Sequence, residues 1–102
     1  MTYVTITDLG AAITLQEGSV VSKVVYKDEQ MDVTVFGIDA GEGLTEHMAA
    51  RAAIVHVLSG RLSLTVDGEV MDAGPGFWLH MEPGTPHSLS AVEPTVMLLT
   101  LV

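Results

Sequence analysis

Along most of the chain, hydrophobic and polar residues alternate with a period of two. In residues 61–66, Leu62, Leu64 and Val66 alternate with Arg61, Ser63 and Thr65, the pattern of a strand with one face in a core and the other in water. Asp67-Gly68 follows, a pair that tolerates positive φ and closes a tight hairpin. Similar short runs bounded by Gly, Pro and Asp predict strands near residues 20–27, 31–38, 44–48, 52–58, 77–82, 87–91 and 95–102. No segment sustains a helical period. Residues 8–16, DLGAAITLQ, fit either a short helical turn capped by Asp8 or an edge strand, since Gly10 weakens a helix. The expected class is all-β, in one domain.

Two of these strands are apolar on both parities. In AAIVHVL, Ala53, Val55 and Val57 occupy one face, and Ala52, Ile54, His56 and Leu58 the other; TVMLLTLV near the C-terminus behaves alike. A sheet with one wet face would show polar residues on one parity, so both faces are expected to be covered. The expected second cover is another subunit in a homodimer, which places His56 in the contact. A chain of 102 residues with 48% hydrophobic content fits one core, and self-association would hide part of its remaining apolar surface.

Charge narrows the partners. Thirteen acidic residues face four basic ones, Lys23, Lys27, Arg51 and Arg61, for a net charge of -9. Polyanion binding needs clustered Lys and Arg, so nucleic acid and anionic membranes are not expected partners. Cysteine is absent, which removes disulfides, thiolate nucleophiles and zinc–thiolate sites. MTYVTITDLG lacks a basic start followed by an apolar block, and no run is long enough to span a bilayer. The expected location is cytoplasmic.

The span from Gly41 to Ala91 resembles the two motifs of the cupin superfamily. The first runs Gly, five residues, His, one residue, His, three residues, Glu, six residues, Gly. Gly41, His47 and Gly60 fit this spacing, with Ala49 at the second His and Ala53 at the Glu. The second motif runs Gly, five residues, Pro, one residue, Gly, two residues, His, three residues, Asn. Gly76, Gly84 and His87 match it, while Glu82 stands at the proline and Ala91 at the asparagine. The resemblance implies a cupin-type double-stranded β-helix, a jelly-roll barrel, as a single domain over 1–102, with 1–19 an N-terminal edge segment and 20–102 the barrel.

It also implies a metal centre of three His and one Glu able to hold Fe(II), Mn(II), Ni(II) or Zn(II). With methyl groups at two of those four positions, the inherited set shrinks to His47 and His87. His80 or Glu82 would supply a displaced third ligand if their face of the strand turned inward. Met48 and Glu46 flank His47 with the opposite parity. Arg51, in the turn between two site strands, is either a solvated charge or a partner for a ligand carboxylate.

The expected function is small-molecule binding in the barrel interior, with His47 and His87 as polar groups and Val55, Val57, Leu62, Leu64 and Trp78 as walls. The alternatives are a metal-dependent cupin enzyme, a dioxygenase or isomerase, using His47, His87 and a displaced ligand, and a metal-free acid–base catalyst using either imidazole. The sequence does not decide whether the chain is catalytic or needs a cofactor.

Overall fold

The computed structural model describes residues 2–102. A 3-10 turn, η1 (Leu9–Ala12), precedes β1 (Val20–Lys27), β2 (Asp32–Ile38), β3 (Gly43–His47), β4 (Ala53–Val66), β5 (Glu69–Ala73), β6 (Trp78–Met81) and β7 (His87–Leu101). Of the two readings of residues 8–16, the helical turn is the one formed: the Asp8 carboxylate accepts from the Gly10 amide at 3.1 Å. The Asp67-Gly68 hairpin has positive φ at both residues, 50° and 82°, and joins β4 to β5 with Val66 opposite Glu69.

All strand pairs are antiparallel, in the order β1-β2-β7-β4-β5, with β3 added to β7 and β6 to β4. The two long strands do the folding. The first half of β7 pairs with β3 and with the second half of β4, which carries β5. The second half of β7 pairs with β2 and with the first half of β4, which carries β6. One continuous ladder thus bends into two layers whose inner faces meet.

Two boundaries differ from the sequence expectation. Residues 52–58 and 61–66 form one strand, as do 87–91 and 95–102. Gly60 and Pro94 lie inside these strands and mark a bend. Register shifts lie between Val57 and Leu62, and the Thr95 hydroxyl ties the corner by accepting from the Arg61 amide at 3.0 Å. An irregular ladder held by side-chain bonds lets both strands turn without ending.

The core is the odd face of β4's first half and the even face of its second, the switch in parity coming from the same bend. Val55, Val57, Leu62 and Leu64 are at most 1% exposed, packed with Ile38, Ala73, Met81, Leu89 and Met97. On the outer face of the first layer, Ile54, His56, Leu58 and Leu98 are half-buried in the isolated chain. Ile13 and Leu15 cross this layer at Gly37, where an added Cβ would lie 3.1 Å from Leu15 and 3.4 Å from Ile13. Among the described residues no helix is long and apolar enough to cross a membrane.

Candidate functional site

The site begins with an irregularity in β3. Leu44 lies opposite Leu89 and packs on the core, but His47 lies opposite His87, so three steps on β3 match two on β7. Strict alternation from Leu44 would send Glu46 inward and His47 out. The extra residue is a bulge, and it turns His47 to the face shared with His87.

The two rings sit side by side, with centroids 4.2 Å apart and planes tilted by 59°. His87 is 6% exposed, while His47 is open to solvent. Each ring is fixed by the backbone two residues earlier: His47 Nδ1 bonds the Thr45 carbonyl at 2.8 Å and His87 Nδ1 the Thr85 carbonyl at 2.9 Å. A carbonyl oxygen only accepts, so each Nδ1 carries the proton and donates it. Each Nε2 is then left as a lone pair in the neutral ring, and neither has a hydrogen-bond partner among the described residues. The Thr85 carbonyl is held in place by a turn in which the Thr85 hydroxyl donates to the Glu82 carbonyl at 2.8 Å, and the Gly84 amide reaches across to the Ala49 carbonyl at 2.8 Å. These clamps are backbone groups, so only the repeated spacing Thr-x-His at 45–47 and 85–87 hints at them in the sequence.

The structure places the other candidates elsewhere. Val55 and Val57 are closed inside the core, at 1% and 0% exposure, as are Leu62 and Leu64 at 0%, and offer a ligand no open wall. Trp78, expected as a wall, lies opposite His56 on the outer face and is 60% exposed. His80 is outside too: its neighbour Met81 is buried opposite Ala53, and His80 pairs with Ile54. Glu82 is exposed beyond the end of β6. Arg51 is neither free nor near a ligand, because its guanidinium donates to Asp32 Oδ2 at 3.1 Å and to the carbonyls of Gln30 and Leu101. A groove of about 740 Å³ opens between the N-terminal segment and Tyr26, Met31 and Val33; it lies against β1 and β2, away from the histidine pair.

The donor set does not fit the metal centre that the fold family implies. Ala53 is 2% exposed in the core, Ala49 has no donor side chain, and among the described residues no three His, Cys, Asp or Glu side chains come together as a metal would need. Two imidazoles fall short of the three or four protein ligands usual for these ions.

A bent seven-stranded antiparallel ladder folded into two layers is the double-stranded β-helix fold. The model of the cupin domain family matches residues 34–102, and the chain belongs to that family. Among solved structures it is similar to a conserved protein of unknown function, SPY1581, from Streptococcus pyogenes: 29% identity, TM-score 0.88, 100% of this chain and 90% of the other. A cupin superfamily protein from Desulfitobacterium hafniense shares the fold at 20% identity and TM-score 0.87, over 92% of this chain and 86% of that one. A Cupin 2 conserved barrel domain protein from Leptotrichia buccalis is 31% identical with TM-score 0.85, over 91% of this chain and 45% of its own. No curated protein matches the sequence. The four motif glycines, Gly41, Gly60, Gly76 and Gly84, all have φ between 82° and 88°, a left-handed conformation that glycine adopts without steric cost.

Proposed function

We propose that this cupin binds a small organic molecule at the barrel mouth, with His47 and His87 as its polar contacts and no bound transition metal. The observation that carries this reading is the geometry of the pair: two imidazoles 4.2 Å apart, each oriented by a backbone carbonyl, each with an Nε2 unpartnered among the described residues, standing on an apolar core. A few convergent polar groups above an apolar floor are what a small-ligand site needs. The floor is shallow, because the side chains beneath are fully packed, so the ligand rests at the mouth and not deep in the barrel. A metal-dependent dioxygenase or isomerase would need a third donor, and His80 and Glu82 stand outside the site.

The test is ligand-observed NMR of a fragment library against protein stripped with chelator. Fragments that bind the native chain and are released in both His47→Ala and His87→Ala support the reading. Fragments that bind all three proteins equally place binding elsewhere and overturn it.

A further inference from the structure

We propose that the group received by the histidine pair is a hydrogen-bond donor, a hydroxyl or an ammonium on an apolar body, and not a carboxylate or phosphate. This rests on the reading of the mouth as a ligand site and specifies its chemistry.

The first argument is the polarity of the pair. Both Nδ1 atoms are committed as donors to carbonyls, Thr45 at 2.8 Å and Thr85 at 2.9 Å. In the neutral rings both Nε2 atoms are therefore acceptors, and an acceptor pair is complemented by N–H or O–H. Opposite neutral rings, a carboxylate would bring only further acceptors and leave four lone-pair atoms facing one another without protons.

The second argument is that, among the described residues, both arginines are engaged elsewhere and both lysines stand on another strand. Arg51 is spent on Asp32 and on the Gln30 and Leu101 carbonyls. Arg61 Nη1 lies 2.9 Å from both oxygens of Asp72, at the β4–β5 pairing. Lys23 and Lys27 are on β1, which among the described strands pairs with β2 and not with β3 or β7. Glu46, next to His47, is acidic and exposed, and the chain as a whole carries -9. The local field thus favours a neutral or positive ligand.

The third argument concerns the rest of the ligand. His87 lies opposite Val66 in the β4–β7 ladder, and Leu89 is the next inward residue on β7; they are 7% and 6% exposed. An apolar body lying on this end of the core loses little by leaving water, whereas a second charged end would gain no partner.

Three matched probes of one shape test the proposal: benzyl alcohol, benzylamine and benzoate. Each is added to metal-free, 15N-labelled protein at pH 8, above the ordinary histidine range near about 6.5. Long-range 1H–15N correlation of the imidazoles first reads the free protein. A protonated Nδ1 and bare Nε2 in both rings is expected, and an Nε2–H tautomer in either ring overturns the proposal. On titration, benzyl alcohol or benzylamine is expected to shift the Nε2 signals of both rings, binding at least about tenfold more tightly than benzoate. The alcohol and amine arms then separate a hydroxyl from an ammonium ligand. Benzoate binding as well as or better than either donor overturns the donor assignment while leaving the mouth as a binding site. If no probe moves either ring while fragments of other shapes do, the apolar-body assignment falls; if nothing moves either ring, the binding-site reading falls with it.

Discussion

Gly60 shows how much a single residue decides here. Its φ is +85°, and a Cβ built on it would meet the Pro94 carbonyl oxygen and lie 2.6 Å from Thr95 Cα. Both obstacles are backbone at the bend of β4 and β7 and cannot swing aside. Gly60→Ala should therefore cost at least about 3 kcal/mol, from left-handed strain plus the clash, read as a lowered urea midpoint. A second residue-scale effect is electrostatic. Asp28 is held below the usual carboxylate range, first by the Tyr26 hydroxyl at 2.7 Å and then by the Gln30 and Met31 amides; the same bond raises Tyr26. A lowered acid pKa adds stability that is present above the unfolded carboxylate value and lost as pH falls through the folded one. Tyr26 works in the opposite sense, its contribution present below the ordinary tyrosine range and lost as pH rises through its folded value. In Tyr26→Phe, the Asp28 pKa measured by NMR titration should move up, and the acid limb of the stability curve should flatten. At this scale the sequence was legible wherever parity rules: His56, between Val55 and Val57, had to face out. It could not place His80, because β6 has only four residues and its inward parity depends on which residue of β4 it meets.

At the scale of elements, the turn chemistry of Asp67-Gly68 and the alternation of Leu62, Leu64 and Val66 were enough to predict the β4–β5 hairpin. The same rules split β4 and β7 into four pieces, because Gly and Pro usually end strands and here they bend them. The bulge in β3 was not readable, since it exists only in the register of β3 against β7. Its consequence is testable: deleting Glu46 removes the extra residue and leaves His47 two positions after Leu44, so a regular ladder keeps His47 opposite His87. Fragments that bind the native mouth should then still bind, and the His87 imidazole signals should keep the Nδ1–H pattern fixed by the Thr85 carbonyl. Lost binding in a folded deletion variant would mean that the bulge itself, and not only the facing of the two rings, shapes the site.

For the molecule as a whole, the spacing of glycines carried the fold, because four left-handed backbone positions place the turns that stack the two layers. The ligand set was equally legible as a loss, since a methyl group at positions 49 and 53 donates no electron pair wherever the chain puts it. The interior walls depend on packing that parity does not show. Val55 and Val57 face inward, and in so small a barrel the inward side chains of both layers pack together and leave them 1% and 0% exposed. What remains for chemistry in the proposed reading is the histidine pair, which lacks the three or four protein donors usual for a transition ion among the described residues. Metal content tests this directly. The chain is purified without affinity-tag metal or chelator, dialysed against Fe(II), Mn(II), Ni(II) or Zn(II) in turn, desalted and analysed for metal against protein. The account predicts far less than one ion per chain for each metal, with no difference between the native chain and His87→Ala; one ion per chain that survives desalting and disappears in His87→Ala would contradict it.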